Sequence, residues 1–476
     1  MVFRHRKERI RGLTGMKMRY PLILFTGIAC AVVLSGCREG GDETDFHGMN
    51  GDRRYSIVLI TLDTFRADHL SCLNDSSPPT PTLDSLAASG VCFTEAFTAN
   101  NCTNPSHVSI MSGLYCLAHR VYGNSHGLSS EALTVAEALA ADGYHTMGSV
   151  SIPHLNPMVS NLGQGFEYFL PSRLARGEPA DQRTTAVVEF LRQKTPEVEE
   201  PWFLWIHYFD PHTPYEPPEP FDSAYPTQRQ LESIRYEGGM GLVPYNRTTK
   251  MVIDPTGQLT RYRGEVAFLD GQLARLMKEL RALRGFETPY VVVVGDHGEG
   301  LGEHDFYFQH ASMFGEVLRV PLILSGPEIP EGRIIPTPVS TVDVFPTILS
   351  LAHHDSLPFS HGLSLLSLIA DPNGAHHEGI IAESVGDWVK SVWTADRAFI
   401  WNDPRKQRYW KLPGRIVLVD RRPVEVEIPD PPIQRKPDVM ALRTIWSDVL
   451  RDTPLRYERY AGDTDMDQLK ALGYVE

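Results

Sequence analysis

The clearest structural signal in this chain is the stretch Val291-Val-Val-Val-Gly-Asp-His-Gly-Glu-Gly-Leu-Gly-Glu-His304. Four consecutive valines followed by a glycine are typical of a parallel strand that is buried on both faces. Asp296 and His297 come directly after that strand, at the edge where open α/β sheets bind ligands. A carboxylate next to an imidazole, among glycines that let a ligand approach the backbone, suits a divalent metal.

A second strand supplies another carboxylate. In Tyr55-Ser-Ile-Val-Leu-Ile-Thr-Leu-Asp-Thr-Phe-Arg-Ala-Asp-His-Leu70, an apolar run ends at Asp63. Because the carboxyl ends of parallel strands meet at one edge of a sheet, we predict that Asp63, Asp296 and His297 share one crevice and hold a metal. The alternative is that each aspartate caps a turn or a helix, as this residue type often does.

Three segments of the chain resemble a known family. They are Leu62-Asp-Thr-Phe-Arg-Ala-Asp68, Gly295-Asp-His-Gly-Glu-Gly-Leu-Gly-Glu-His304 and Leu469-Lys-Ala-Leu-Gly-Tyr-Val475. In this order they are similar to segments of the sulfatase family in the alkaline phosphatase superfamily. The resemblance implies an α/β fold, with a central mixed sheet flanked by helices and a smaller C-terminal α+β subdomain. It also implies a hydrolase of sulfate or phosphate esters.

The pattern of the remaining chain agrees with an α/β fold. Short apolar runs alternate with helical patterns, which indicates a wound sheet. Strands are predicted at 56–61 and 91–97, and helices follow Pro81 and cover Leu133–Ala141 and Val266–Leu283. The 476 residues, of which 42% are apolar and 22% charged, can bury a large core and divide into two domains.

The N-terminal region has the features of a targeting signal. Basic residues crowd the first 19 positions, and the apolar run from Pro21 to Val33 is too short to span a bilayer comfortably. It ends in Leu34-Ser-Gly-Cys37, which resembles a bacterial lipoprotein signal that is cleaved so that Cys37 carries lipid. The alternatives are an ordinary signal peptide with a chance cysteine, or a short N-terminal anchor. All of them export the protein to the cell envelope.

Four regions are therefore predicted. Residues 1–37 form the signal peptide and residues 38–54 a polar, glycine-rich tether. Residues 55–370 form the sulfatase-like catalytic domain, in which the segment from Pro217 to about Thr260 is predicted as a substrate-side loop. The pattern breaks at Asp371-Pro-Asn-Gly, so residues 371–476 form the C-terminal subdomain. A short helix is predicted to close that subdomain at Leu469.

Charge and cysteine content limit the partners and the redox chemistry. The net charge of -14 and the absence of a basic face after the N-terminus argue against nucleic acid. The expected partner is a sulfated or phosphorylated small molecule or glycan, and membrane contact is expected only through the lipid anchor. Four cysteines remain after Cys30 and Cys37, namely Cys72, Cys92, Cys102 and Cys116. Disulfides and buried thiols are both compatible with this even number, and the sequence does not choose between them.

The loop Asn101-Cys-Thr-Asn-Pro-Ser-His-Val-Ser-Ile-Met-Ser-Gly113 is the candidate for the nucleophile. Pro105 suits the first turn of a helix, so a helix is predicted to begin here with Thr103 just ahead of it. A hydroxyl at a helix N-terminus faces backbone N–H groups that favour anions. The alternative is that Thr103 only caps the helix.

The family resemblance implies roles for this loop. Sulfatases place here a Cys or Ser, any residue, Pro, Ser and Arg, and convert the first residue to formylglycine. This chain has Thr103 in the nucleophile position, with Cys102 one residue short, and His107 in place of the arginine. Threonine is not a substrate for that conversion, so Thr103 is expected to attack as an alcohol, bound as alkoxide to the metal. His107 is expected to bind the anion or orient Thr103, or else to lie on the helix surface.

The resemblance implies two further catalytic histidines. His212, in the Pro-His-Thr-Pro segment after a buried strand, is expected to give a proton to the departing oxygen. His310 occupies the position of a family residue that contacts the transferred group. His207, inside the apolar strand, is expected either to support a residue of the site or to lie in the core, and the core is favoured. Asp270, on the long helix, is expected to be structural.

The predicted function is an exported, metal-dependent hydrolase that acts through Thr103. With few fixed positive charges near the motifs, the site favours a monoanionic group, meaning a sulfate monoester or a phosphate diester. Calcium is usual in sulfatases, but the nitrogen ligand and Thr64, where a second aspartate often follows, also admit manganese or zinc. The alternative is a catalytically silent relative that binds an anionic glycan or lipid.

Overall fold

A computed structural model describes residues 54–195, 201–229, 234–235, 252–354, 356–402, 416–421, 426–429 and 435–453. The predicted signal peptide with Cys37, nearly all of the predicted tether, and the closing helix at Leu469 lie outside these residues. Within the described ranges, no helix combines the length and the apolar character needed to cross a membrane.

The strands are numbered in chain order across the described residues. They are β1 Ile57–Leu62, β2 Gly90–Phe93, β3 Ala96–Phe97, β4 His145–Ser149, β5 Tyr168–Leu170, β6 Trp202–Tyr208, β7 Ile234–Arg235, β8 Val252–Ile253, β9 Tyr290–Gly295, β10 Gly300–Leu301, β11 Tyr307–Gln309, β12 Leu322–Ser325, β13 Arg333–Ile335, β14 Val339–Ser340, β15 Ile380–Glu383, β16 Val389–Trp393, β17 Arg397–Asn402, β18 Ile416–Asp420 and β19 Val426–Pro429.

The α-helices of the same residues are α1 Pro81–Ala88, α2 Thr103–Ser112, α3 Cys116–His119, α4 Val135–Ala141, α5 Pro157–Ser160, α6 Ala180–Lys194, α7 Phe221–Ala224, α8 Pro255–Arg281, α9 Gly315–Leu318, α10 Val344–Leu351, α11 Leu365–Ala370 and α12 Lys436–Asp452. The helix predicted to begin near Thr103 is therefore confirmed, as are the helices after Pro81 and near Leu133.

The central sheet is mixed and has eight strands, in the order β13-β2-β12-β9-β1-β6-β4-β5. Strand β1 pairs in parallel with β6 on one side and with β9 on the other, whereas β12 runs antiparallel to β9. Leu62 of β1 lies opposite Gly295 of β9. The next residues of the two strands, Asp63 and Asp296, therefore emerge side by side at one edge, as the sequence predicts.

The central strands are buried on both faces because their side chains alternate between two apolar layers. Ile57 and Leu59 of β1 belong to one core cluster, and Val58 and Ile60 belong to the other. Helices α4, α10 and α11 contribute to the first cluster, whereas α1, α6 and α8 contribute to the second. The predicted α/β class, with helices on both faces of a mixed sheet, is confirmed.

Two predicted element boundaries are wrong. The 91–97 run forms two strands, of which β2 pairs in the central sheet and β3 pairs with β14. Helix α8 begins at Pro255, inside the predicted loop, because the Asp254 carboxylate accepts a hydrogen bond from Thr256 N and Pro255 fits the first helical position. Its apolar face therefore starts at Leu259 and Tyr262, which are both buried.

A second sheet lies in the C-terminal part of the chain. Strands β15 to β19 form an antiparallel meander in sequence order. One face packs on Phe97 and Met313, and the other face packs with α12. The resemblance predicted this smaller α+β part, while the exact division at residue 371 stays a prediction.

One ion pair predicts a pH-dependent stability. His377 Nε2 lies 2.7 Å from Asp343 Oδ1. Burial lowers the pKa of His377, but the Asp343 carboxylate outweighs it and holds that pKa above 6.5. The pair therefore stabilises fully below about pH 6.5, and the stabilisation is lost as the pH rises through the folded-state pKa. We expect His377→Gln to lower the free energy of unfolding by about 1.5–3 kcal/mol at pH 6.

Urea unfolding at pH 6 and at pH 8.5 checks this expectation. The difference in the free energy of unfolding between the wild type and His377→Gln should be smaller at pH 8.5 than at pH 6. His376→Gln is the matched control, since His376 is exposed and, among the described residues, hydrogen-bonds to the nearby Gly374 carbonyl. A difference that does not change with pH contradicts the assigned ion pair.

Candidate active site

The structure brings Asp63, Asp296 and His297 together at the edge of the central sheet. Asp63 N donates to Tyr208 O at 3.0 Å, and Asp296 N donates to Leu62 O at 3.1 Å, so the backbone pairing continues past both strand ends. His297 Nε2 lies 3.8 Å from Asp63 Oδ1 and 3.5 Å from Asp296 Oδ2. All three side chains are fully buried. One donor atom from each lies within 4.8 Å of the other two, as a shared cation requires.

The carboxylates of this cluster lack the partners that buried charges need. Both oxygens of Asp63 and Oδ2 of Asp296 have no hydrogen-bond donor. Burial raises the pKa of Asp63 well above its usual range, and burial followed by the Asp63 charge does the same for the pKa of Asp296. Buried carboxylates of native proteins are otherwise paired or bound to metal. These residues therefore fit a divalent cation.

The remaining oxygen of Asp296 fixes its orientation. Asp296 Oδ1 accepts from Thr64 N at 3.2 Å and from His297 N at 2.6 Å. Thr64 has a left-handed backbone, with φ of 53°, and this conformation costs a β-branched residue on the order of 1 kcal/mol or more. The strained turn points the Thr64 N–H at Asp296, so that Oδ2 faces the cluster.

Hydrogen bonding selects the tautomer of His297. Its Nδ1 lies 3.0 Å from Gly298 O, and a carbonyl oxygen can only accept. Burial lowers the pKa of His297 well below its usual value, so the ring is neutral. Nδ1 therefore carries the hydrogen, and the Nε2 lone pair faces the two aspartates. This is the arrangement of a metal-binding histidine.

Thr103 is the first residue of α2 and lies beside the same cluster. Its Oγ1 is 3.3 Å from His297 Nε2, and the side chain is fully buried. The residue that precedes the helix is Cys102, whose side chain makes no capping hydrogen bond, and Asn124 Oδ1 accepts from Asn104 N in the first turn. The Thr103 hydroxyl is thus turned toward His297 and does not cap α2.

His107 lies one helical turn after Thr103 and is fully buried, so its placement on the helix surface is wrong. Its Nδ1 donates to Thr103 O at 2.7 Å, and its Nε2 accepts from Thr61 Oγ1 at 3.0 Å. Thr61 Oγ1 in turn accepts from Trp205 Nε1. Both ring nitrogens are therefore bound within the protein, and His107 fixes the first turn of α2 without contacting the Thr103 hydroxyl.

His207 belongs to the site as well as to the core. It is fully buried, as predicted, and its Nδ1 accepts from the backbone Ser151 N at 3.3 Å, whereas its Nε2 has no hydrogen-bond partner among the described residues. Nε2 then carries the hydrogen and lies 3.4 Å from Asp63 Oδ2. His107, His207 and Asp296 also lie close enough to hold a metal. Neither histidine offers a free lone pair, however, so a second ion does not fit there.

His212 and His310 form one wall of the site. The His310 ring lies 4.3 Å from that of His297 and 5.9 Å from that of His212, between ring centroids. Burial lowers the pKa of His212 to about 3 and that of His310 to about 4. Both donate through Nδ1 to backbone carbonyls, of Thr213 at 2.5 Å and of Asn101 at 2.6 Å. The wall is thus made of neutral imidazoles.

Other charged groups of the motifs are engaged elsewhere. Arg66 binds Asp68 at 2.7 Å and Glu303 at 3.2 Å, and buried Glu299 accepts from Tyr215 Oη at 3.1 Å. Asp270 accepts from the backbone of Thr82 and Leu83 at the start of α1, which confirms its structural role.

Asn101 is a positioning residue that no sequence pattern predicts. Its Nδ2 donates to His310 O at 3.0 Å and to Ser312 O at 3.2 Å, and its Oδ1 accepts from Val385 N at 2.8 Å. Its own carbonyl accepts from His310. One fully buried amide thus joins the segment before Thr103 to the His310 loop and to the C-terminal part.

We expect Asn101→Ala to lower the free energy of unfolding by about 1–3 kcal/mol, because buried backbone groups lose their partners. We also expect a fall in kcat of about tenfold or more, because the His310 loop is released. Urea unfolding and steady-state kinetics check these values. Asn373→Ala, at an exposed position, should change neither. Unchanged kcat in Asn101→Ala contradicts the positioning role.

Comparison with known proteins identifies the family. The sulfatase family model matches residues 56–354. This chain belongs to the sulfatase family. The predicted class of enzyme, a sulfatase-family ester hydrolase, is therefore confirmed, and a divalent metal is the cofactor of that family.

Two relatives agree with this family assignment. The chain is 24% identical over 413 residues to a sulfatase of Formosa agariphila, covering 75% of this chain and 79% of the relative. It is 24% identical over 426 residues to an arylsulfatase of Clostridium perfringens, covering 75% and 88%.

Two solved structures share the fold of this sulfatase. The phosphonate monoester hydrolase of Agrobacterium radiobacter has a TM-score of 0.64 and 20% identity, and the match covers 84% of this chain and 95% of that one. A protein solved in complex with its substrate, D-glucosamine-2-N,6-O-disulfate, has a TM-score of 0.68 and 16% identity, with coverage of 84% and 99%.

Proposed function

We propose that this sulfatase is a metal-dependent hydrolase that cleaves a monoanionic ester through Thr103. The observation that carries the proposal is the geometry around His297. Its Nε2 lone pair faces two aspartates with unpartnered oxygens and lies 3.3 Å from the Thr103 hydroxyl. Donor atoms around one cation at about 2.1–2.4 Å are separated by about 3–4 Å, which is the spacing found here.

The chain's own residues divide the work of the reaction. Asp63, Asp296 and His297 would hold the cation, which when bound supplies Lewis acidity toward the alcohol and the ester oxygens. Thr103 attacks the sulfur or phosphorus from the N-terminus of α2, where backbone N–H groups favour anions, and the bond to the leaving oxygen breaks. Water then cleaves the threonyl ester and restores the Thr103 hydroxyl. The Nε2–H of His207 lies 3.4 Å from Asp63 Oδ2 without a hydrogen bond, and the Thr64 N–H orients Asp296.

Proton transfer to the leaving oxygen is assigned to His212. Burial lowers its pKa to about 3, so the ring is neutral near pH 7 in the free protein. An anionic ester beside the ring favours its protonated form and raises that pKa. His310, whose ring lies near those of both His212 and His297, is assigned the contact with the transferred group.

The charge of the site favours a monoanion. The wall histidines are neutral, and Arg66 is paired with Asp68 and Glu303. A sulfate monoester or a phosphate diester therefore fits better than a dianion. The threonine favours phosphorus, because a threonyl sulfate lacks the breakdown route of formylglycine. Calcium is the proposed metal, with manganese or zinc as alternatives, since Thr64 reduces the charge of the ligand set.

Hydrolysis of bis(4-nitrophenyl) phosphate and of 4-nitrophenyl sulfate by the purified, metal-loaded protein tests this function. We expect turnover of the phosphate diester above that of the sulfate. Faster turnover of the sulfate overturns the preference for phosphorus but keeps the hydrolase. No turnover of either ester by protein that still binds metal favours the second candidate.

That second candidate is a silent relative that binds an anionic glycan or lipid. The replacement of the family's cysteine and arginine by Thr103 and His107 favours it. A protein with this fold has a sulfated glucosamine as its substrate. Calorimetry with a sulfated disaccharide, in the absence of turnover, distinguishes binding from catalysis.

Export and lipid anchoring at Cys37 are part of the proposal and rest on the sequence alone. Expression of the full chain in a bacterium, with a labelled fatty acid, should label the protein and place it in the membrane fraction. Cys37→Ser should remove the label. Label that persists in this variant contradicts the assignment of Cys37.

A further inference from the structure

A tyrosine of the long helix α8 contacts the turn that follows Asp63. The side chain of Tyr262 is fully buried. Its Oη donates to Thr64 O at 2.9 Å and accepts from Arg66 N at 3.2 Å. Burial raises the pKa of Tyr262, so the hydroxyl keeps the proton that it donates. One side chain of α8 therefore pairs two buried backbone groups of the turn, 198 and 196 residues away in the sequence.

The same turn sets the direction of a proposed metal ligand. Thr64 N donates to Asp296 Oδ1 at 3.2 Å, which leaves Asp296 Oδ2 facing Asp63 and His297. The turn has this shape only because Thr64 adopts a φ of 53°. An unfavourable backbone conformation persists where surrounding contacts hold it in place. The hydrogen bond from Tyr262 is such a contact, because it binds the carbonyl oxygen of Thr64 itself.

Packing of the Tyr262 ring fixes the position of its hydroxyl. The ring meets those of His69 and Tyr215 edge-on, with centroid distances of 4.9 Å and 5.4 Å. Edge-to-face contacts of this kind are favourable. Tyr215 is itself held in place, because its Oη donates to Glu299 Oε2 at 3.1 Å. Removal of the Tyr262 hydroxyl alone should therefore leave the ring where it is.

We propose that Tyr262 is a positioning residue of the metal site, which acts through Thr64 on Asp296. The inference rests on the proposed function, because it assumes a cation held by Asp63, Asp296 and His297. Without the Tyr262 hydroxyl, the turn loses two hydrogen bonds and the Thr64 N–H holds Asp296 less firmly. The Asp296 carboxylate then binds the cation more weakly. Residues that orient metal ligands in this way typically contribute a factor of about 10–100 to metal affinity.

Calorimetric titration of the metal-free full chain with calcium chloride, and separately with manganese chloride, tests the proposal. We expect Tyr262→Phe to bind the same ion as the wild type with a Kd that is about 10–100 times higher. This measurement does not require turnover. In the hydrolysis assay, the metal concentration for half-maximal rate should rise by the same factor. The kcat at saturating metal should stay near the wild-type value, because Thr103 and His212 are unchanged.

A buried hydroxyl with the same pattern of hydrogen bonds supplies the matched control. Thr146 Oγ1 donates to Gly165 O at 2.7 Å and accepts from Glu167 N at 2.8 Å. Thr146 lies near the start of β4, whereas the proposed metal ligands follow the ends of strands. Thr146→Val thus loses an equivalent pair of hydrogen bonds. We expect a fall in the Tm of the metal-free protein similar to that of Tyr262→Phe, and an unchanged Kd for the metal.

The possible results separate this inference from the proposed function. A Kd for Tyr262→Phe that equals the wild-type value overturns the positioning role and leaves the metal site intact. A Kd that rises equally in Tyr262→Phe and Thr146→Val also overturns it, because a general loosening of the fold then accounts for the change. A wild type that binds neither ion overturns the metal site, and the role of Tyr262 with it.

Discussion

Replacement of Thr103 by alanine is expected to lower kcat/KM for the hydrolysed ester by about a thousandfold or more, because the nucleophile is removed. Thr103→Ser keeps a hydroxyl at the start of α2 and should retain most of the activity. Both variants should still bind metal, since Asp63, Asp296 and His297 remain, and Thr103→Ala loses only the hydroxyl ligand. Steady-state kinetics and elemental analysis on the same preparations measure the two properties.

A second hydroxyl of α2 supplies the matched control. Ser112 Oγ donates to Val108 O at the far end of this helix, and the residue is nearly as buried as Thr103. Ser112→Ala should therefore leave kcat/KM unchanged. Equal activity in Thr103→Ala and the wild type excludes Thr103 as the nucleophile and leaves the metal site intact.

Removal of the metal is expected to have its largest effect on stability at high pH. Because folding raises the pKa of Asp63 and of Asp296, the metal-free protein loses stability as the pH rises from about 4, the unfolded value, toward the folded values. A cation binds the deprotonated carboxylates and reverses this loss. Metal at about 100 times its Kd should stabilise the protein by about 2.7 kcal/mol.

Thermal unfolding with and without chelator, at pH 5 and at pH 8, measures this dependence. The fall in Tm on chelation should be larger at pH 8. Asp63→Asn removes one buried charge, so its metal-free form should be more stable than the metal-free wild type at pH 8, and added metal should raise its Tm little. Asp270→Asn is the control, because Asp270 caps α1 away from the site and should respond to metal as the wild type does. A larger effect at pH 5 contradicts the assigned ligands.

Much of the site could be predicted from the sequence, because its metal ligands directly follow the ends of two strands. The valines before Gly295 and the apolar run before Asp63 specify buried parallel strands, and parallel neighbours deliver their next residues to one edge. The start of α2 at Thr103 followed from Pro105. These inferences need only local patterns and the geometry of a sheet.

The features that were missed depend on tertiary contacts. His207 lies in an apolar strand, and only the hydrogen bond from Ser151 shows which of its nitrogens faces Asp63. No sequence pattern marks Asn101 as a positioning residue, because its hydrogen-bond partners lie more than 200 residues away in the chain. The role of His107 could not be predicted from its position on a helix, because that position does not reveal the hydrogen bond from Thr61 Oγ1 to His107 Nε2.

The position of a bound cation is the sharpest test of hydrolysis through a metal-activated Thr103. A crystal structure of the metal-loaded protein, with the ion located by its anomalous scattering, should place one ion within about 2.0–2.6 Å of Asp63, Asp296, His297 Nε2 and Thr103 Oγ1. An ion held elsewhere, or a Thr103 Oγ1 several ångströms beyond coordination distance, would contradict hydrolysis through a metal-activated threonine.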